Sequence, residues 1–188
     1  MHEPTTADID QAVALLRGGG ILAYPTEGVW GLGCDPFDEA AVLRLLALKQ
    51  RTVDKGLILV AAAPDQLEGL VDWSTLPAPR RADVLASWPG PNTWILPVTP
   101  RVPQWIRGAH DGVAVRVSAH PGVVALCVGF GAPLVSTSAN VAGDPAPTSR
   151  AELAPAIAAG VDLTVAGETS GRGIPSTVRD ARTGRQLR

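Results

Sequence analysis

Short apolar runs alternate with amphipathic stretches along the chain, and that alternation predicts an α/β fold with a mixed, largely parallel sheet flanked by helices. Two further observations bound the reading. The 188 residues suffice for one sizeable core and leave little room for a second. An apolar fraction of 46% is that of a globular protein. Residues 1–188 are therefore expected to form a single domain.

Asp8 to Arg17 sets Ile9, Val13 and Leu16 on one helical stripe, and Gly18-Gly19-Gly20 stops it. The extended run Ile21-Leu22-Ala23-Tyr24 follows and halts at Pro25. Thr26 to Cys34 is too rich in glycine for a regular element and too apolar for a solvated loop, so it is expected to line something. Asp38 can cap a helix through about Gln50, with Val42, Leu45, Leu46 and Lys49 at spacings of three or four. Leu57 to Ala62 reads as a buried strand. A weak helix over Pro64 to Val71 and a second over Pro79 to Trp88 lead to a strand at Thr93 to Val98, where Pro97 points to an edge position or an early end. Val113 to Val117 is a strand buried on both faces. Pro121 opens a helix through Val128, and Pro133-Leu134-Val135 feeds a strand into Ser136-Thr137-Ser138-Ala139-Asn140. Ser149-Arg150-Ala151-Glu152 has the form of a capping box opening a helix to about Ala159. Short strands at Val161 to Ala166 and Ser176 to Arg179 flank Gly167 to Gly173, the expected mobile loop.

Composition excludes several function classes. A formal net charge of −2 gives no overall basic field for nucleic acid, so any polyanion site must be a local cluster. No apolar run approaches membrane-spanning length, and Glu3, Asp8 and Asp10 stand where a basic then apolar leader would be. A soluble, cytoplasmic protein with no membrane partner is expected. Cys34 and Cys127 have neither CxxC nor metal-ligand spacing, and His2, His110 and His120 are scattered, so no protein metal site is expected. There is no GxxxxGK[ST], GxSxG or HExxH, and Gly31-Leu32-Gly33 lacks the third glycine of a dinucleotide fingerprint.

Three constellations could carry chemistry. Lys49 and Lys55 are the only lysines among sixteen Lys and Arg residues, and both flank Arg51. Two compact ammonium groups beside a guanidinium suit a polyphosphate, although cations also favour a solvated helix end. Ser136, Thr137, Ser138 and Asn140 emerge where open α/β sheets hold ligands, as phosphate or carboxylate donors or as a self-satisfied turn. Arg116, inside a buried strand, calls for an anion, either a substrate carboxylate or an internal acid.

Tyr24-Pro25-Thr26-Glu27-Gly28-Val29-Trp30-Gly31-Leu32-Gly33, Lys49-x-Arg51-x-x-x-Lys55, Pro89-Gly90-Pro91-Asn92-Thr93, Val113 to Pro121, Pro133 to Asn140 and Ser176-Thr177-Val178 occur in this order over nearly the whole chain. Together they resemble the YrdC-like family and are most similar to its short bacterial form. The resemblance implies a twisted sheet carrying a cationic groove. It also implies a nucleotidyltransferase that converts L-threonine, bicarbonate or CO2, and ATP with Mg2+ into L-threonylcarbamoyl-adenylate and pyrophosphate. That adenylate serves a tRNA threonylcarbamoyl transferase complex in forming N6-threonylcarbamoyladenosine (t6A). By position, Lys49, Arg51 and Lys55 would hold ATP phosphates, and Ser138 and Asn140 the nucleotide. Arg116, Ser136, Ser176 and Thr26 would bind threonine, and Mg2+ would ride on the phosphates without protein ligands. Gly28 replaces a threonine of many longer relatives, Val60 a polar contact and Gly56 a proline, and the C-terminal extension domain of the long form is expected to be absent. The alternatives are a module that binds double-stranded RNA or tRNA without catalysis, and another carbamoyl-adenylate-forming enzyme.

Overall fold

A computed structural model describes residues 4–188, so His2 and Glu3 lie outside the described residues. Helix α1 (Thr6–Arg17) begins two residues before the sequence reading places it, because Thr5 and Asp8 form a reciprocal capping box. Strands β1 (Leu22–Pro25) and β2 (Trp30–Gly33) make a hairpin closed by residues 26–29. Helix α2 (Glu39–Leu48) starts at Asp38, whose side chain accepts from the Ala41 amide. Further along the chain come β3 (Ile58–Ala61), α3 (Ala78–Ala86), β4 (Asn92–Pro97), α4 (Gln104–Arg107), β5 (Gly112–Val117), α5 (Pro121–Phe130), β6 (Leu134–Ser138), α6 (Pro155–Gly160), β7 (Leu163–Thr164) and β8 (Thr177–Asp180).

The strands form one mixed sheet in the order β7-β1-β2-β6-β3-β5-β4-β8. The α/β class and the mixed sheet agree with the sequence, but the balance of directions does not. Among the described residues only β1–β7, β3–β5 and β4–β8 pair in parallel; the other four pairings are antiparallel. The cause is β6, which enters antiparallel between β2 and β3 and pairs with both.

Four local expectations are corrected. Trp30 to Gly33 is a strand between β1 and β6, and its glycines give Tyr24 room: a Cβ on Gly33 would stand 2.8 Å from the Tyr24 hydroxyl. Strand β4 is internal, which removes the edge alternative, while its end at Pro97 agrees with the other one. The Ser149–Glu152 box opens no long helix. The Glu152 carboxylate is taken by the Thr148 amide and hydroxyl, leaving one tight turn before the separate α6. Likewise Pro64–Leu67 is a single turn, since Gly69 at φ +73° keeps the helix from continuing to Val71.

Strand alternation decides where the site sits. Ala23, Leu32, Leu59, Val115, Leu96 and Val135 project to one face and pack under α2, α3, α4 and α6 through Leu45, Val84, Ile106 and Ile157. On the other face Leu22, Tyr24, Val60 and Leu134 meet Leu16 of α1 and Val123, Leu126 and Cys127 of α5. Those two helices cover only part of that face. The uncovered part carries Ser136, Ser138, Ile58, Ala114 and Arg116, which floor two adjoining hollows.

Candidate functional site

The first hollow, a cavity of about 140 Å³, opens above the ends of β6, β3 and β5. Ile58, Arg116, Ser136 and Ser138 floor it. Its walls are the β1–β2 turn at Thr26 and Gly28, Arg51 with Gly56, and the strap Ile174-Pro175-Ser176 with Arg188. The second hollow adjoins it, sharing Arg51, Gly56, Leu57, Ile58 and Arg188, and adds Lys55, Arg107 and Arg182 together with Asp111 and Asp180 over an apolar floor of Ile95, Ala114 and Val178.

Arg116 settles one open alternative in part: it has an internal acid. Its Nη1 donates to Glu27 Oε2 at 2.8 Å, and both side chains are buried. Oε1 of Glu27 accepts from the Ser118 hydroxyl at 2.9 Å and the Ala119 amide at 3.0 Å. Burial alone would push the Glu27 carboxyl up. Arg116 and these donors outweigh it and hold the group below its ordinary range. Yet Arg116 keeps Nε buried and, among the described residues, without a partner. Arg51 matches it: Nη2 donates to the Gly56 carbonyl at 3.0 Å, whereas Nε is buried and unpartnered. Buried donors are seldom left unpaired, and both of these guanidiniums line one hollow, so each has a donor to spare beside it.

The guanidiniums also feel each other. Burial and then Arg188 lower the pKa of Arg51; burial and then Arg116 lower that of Arg188. Arg188 thus repels both neighbours, and since Arg116 is already paired with Glu27, the Arg51–Arg188 end of the cleft is the one that favours a polyanion.

The predicted residues fall into two groups. Arg51, Arg116, Ser136, Ser138, Ser176 and Thr26 meet at the first hollow. The Ser176 hydroxyl shares a 2.7 Å hydrogen bond with Thr93, and Thr26 donates to the Val29 carbonyl at 2.8 Å. Lys55 is exposed and lines only the second hollow. Lys49 turns inward. Only 2% exposed, it donates to the carbonyls of Ser138 and Asn140 and to the Asn140 side-chain oxygen. The Asn140 amide nitrogen is spent on the Val141 and Asp144 carbonyls, and Asn140 does not line the first hollow. This pair ties the end of α2 to the end of β6.

Glu27 and Arg188 are site residues the sequence reading missed. A lone acid in the apolar turn and a lone arginine in a buried strand, read together, carried the signal for the first. Arg188 carried none, because its position depends on the chain doubling back along β8, where the Leu187 amide donates to Val178 at 2.7 Å. The segment expected to be mobile is laid along the β1–β2 turn, with the Ser170 and Arg172 amides on the Thr26 and Glu27 carbonyls, each at 3.3 Å. Gly28 permits that approach: a Cβ there would lie 1.9 Å from the Ile174 carbonyl oxygen.

Fold and cleft define a class: a small α/β domain whose half-open sheet face carries an arginine- and hydroxyl-lined hollow. The chain belongs to the Sua5/YciO/YrdC family, described as "Telomere recombination", which matches residues 14–188. It is 61% identical over 183 residues to a protein named threonylcarbamoyl-AMP synthase from Xanthomonas euvesicatoria pv. vesicatoria, covering 97% of this chain and 98% of the relative. Among solved structures it is similar to Sua5 of P. abyssi, with a TM-score of 0.86 and 36% identity over 92% of this chain. It is also similar to P. abyssi Sua5 complexed with L-threonine, with a TM-score of 0.82 and 39% identity. The chain spans about half the length of those Sua5 chains, 52% and 50%. Among the described residues no helix is long and apolar enough to cross a membrane.

Proposed function

We propose that the chain is a threonylcarbamoyl-AMP synthase, condensing L-threonine, bicarbonate or CO2, and ATP to L-threonylcarbamoyl-adenylate and pyrophosphate. The observation that carries this reading is the pair of buried, unpartnered Nε donors of Arg51 and Arg116 on one cleft with Arg188 and three serines. The name of the Xanthomonas relative and the threonine bound in the Sua5 complex support the choice of substrates.

Threonine's carboxylate belongs on Arg116, between Ser136 and Ser176, and the triphosphate toward Arg51, Arg188 and Lys55 across the second hollow. Threonine's amine, as the free base, adds to CO2 and gives up a proton to solvent, and the carbamate oxygen attacks the α-phosphorus as pyrophosphate departs. Two anions must meet for this step. At about 4 Å and an effective dielectric of about 20, each close charge pair repels by roughly 4 kcal/mol. Arg51, Arg188 and Lys55 offset that repulsion and hold the charge that grows on the leaving pyrophosphate. No enzyme nucleophile is needed. Among the described residues the first hollow supplies hydroxyls and guanidiniums but no carboxylate, and the two acids of the second are already engaged, Asp111 by the Arg182 side chain and Asp180 by the Arg182 and Thr183 amides, a set that suits a Mg2+ delivered on the phosphates. Bound there, the ion would add charge neutralisation. Lys49 and Asn140 act behind the site by holding Ser138 at the floor.

The product would pass, in the cytoplasm, to a tRNA threonylcarbamoyl transferase complex, with weak RNA contact along the cationic rim. The test is pyrophosphate release with ATP, Mg2+, bicarbonate and each of the twenty amino acids in turn. Threonine-dependent release is expected. Release only with carbamoyl phosphate, or salt-sensitive RNA binding without release, would overturn the reading.

A further inference from the structure

We infer that Glu27 is a positioning residue for carboxylate recognition: it fixes Arg116 so that the Nε–Nη2 edge of the guanidinium is the one offered to substrate. The inference rests on the functional reading above and deepens it.

A guanidinium can grip a carboxylate side-on only through Nε and the Nη on the same edge, which is Nη2. Nη1 lies on the other side, next to Cδ, and Nη1 is the atom that Glu27 takes, at 2.8 Å. The acid therefore occupies the donor that a side-on fork does not use and leaves the fork free. Among the described residues neither Nε nor Nη2 has a hydrogen-bond partner, as such a division requires. Glu27 can impose it because its own carboxylate cannot turn. Oε1 is held by the Ser118 hydroxyl and the Ala119 amide, and the Ser118 oxygen in turn accepts from the His120 amide at 3.1 Å. Glu27 stands on the β1–β2 turn and its clamps on the segment after β5, so the pair bridges elements 89 residues apart. Its main chain is tied as well, since the Glu27 carbonyl accepts from the strap at Arg172.

Charge makes the arrangement selective. Among the described residues Arg116 is ion-paired, while neither Arg51 nor Arg188 has a carboxylate within salt-bridge distance. A neutralised pair holds a carboxylate by shape and hydrogen bonds and attracts a triphosphate poorly. The two unneutralised arginines do the reverse. Glu27 thus sorts two anionic substrates to the two ends of one cleft.

The test is calorimetric binding of L-threonine, of L-threoninol, which lacks the carboxylate, and of ATP to wild type, Glu27→Gln and Ser118→Ala. Glu27→Gln is expected to weaken L-threonine by at least about tenfold, hold ATP within about twofold and collapse the preference for threonine over threoninol. Ser118→Ala should move in the same direction by about threefold. A general folding defect would weaken ATP as much as threonine, in which case Ser118→Ala decides. If both variants keep wild-type threonine affinity and selectivity, the positioning role is wrong while the functional reading stands. A wild type that binds no threonine overturns the functional reading, and this inference with it.

Discussion

Replacing Lys49 by Met separates two roles that one sequence position could play. Met is of similar length and apolar, so Lys49→Met removes the ammonium and leaves little cavity. The Ser138 and Asn140 carbonyls then lose a charged donor in a site where Lys49 is 2% exposed. Hydrogen bonds to a charged group are each worth about 1.5–3 kcal/mol, so the pair gives a loss of roughly 3 kcal/mol or more. For a domain of this size each kcal/mol moves the midpoint by about 2–4 °C, so Tm should fall by roughly 6–12 °C. The assay is thermal unfolding without nucleotide, followed by pyrophosphate release. Loss of activity is expected too, because Ser138 would no longer be held at the cleft floor. A direct phosphate ligand would behave otherwise, losing ATP affinity with Tm unchanged, and a shift under about 2 °C would refute the brace. The pH dependence adds a check. Burial first, then Arg51, lowers Lys49 from 10.5 to about 8, while its three oxygen partners keep the ammonium in place at neutral pH. Between those two values the unfolded chain binds more protons than the native one, so wild-type stability should rise with pH through that window relative to Lys49→Met.

Arg51→Ala should cut turnover by more than about tenfold, over about 1.4 kcal/mol, with Lys55→Ala less severe because Lys55 touches only the second hollow. Near-normal pyrophosphate release by Arg51→Ala would refute the phosphate assignment. Gly28→Ala places a methyl 1.9 Å from the Ile174 carbonyl, so the strap must shift. About 1–3 kcal/mol of stability and a larger share of threonine affinity should be lost, read by unfolding and calorimetry. Glu27, whose carboxyl is held below its usual 4.5, contributes stability that is present above that value and lost as pH falls below it. Acid unfolding of Glu27→Gln should therefore begin from a lower stability and show a shallower acid limb than wild type.

Much of the framework was legible one segment at a time. The apolar runs marked β3, β5 and β6 within about two residues, and Asp38 marked the start of α2, because local pattern and capping chemistry write these features into adjacent residues. Strand β2 escaped because its side-chain signal is thinned by Gly31 and Gly33, whose value lies in what a neighbouring strand needs. The excess of antiparallel pairing was hidden for a related reason: direction depends on where a strand is inserted, and nothing within Leu134–Ser138 says that it enters between β2 and β3.

The site divides along the same line. Residue order alone established that hydroxyls would end a buried strand, that Arg116 would need an anion, and that a cationic cluster would close α2. It took the folded chain to make Glu27 the acid beside Arg116, to open Arg51 to the cleft while Lys49 turns into the protein, and to bring Arg188 round to complete the ring. These choices are made between groups far apart in the chain, by which buried donor finds an acceptor once the sheet has closed, and that competition has no local signature.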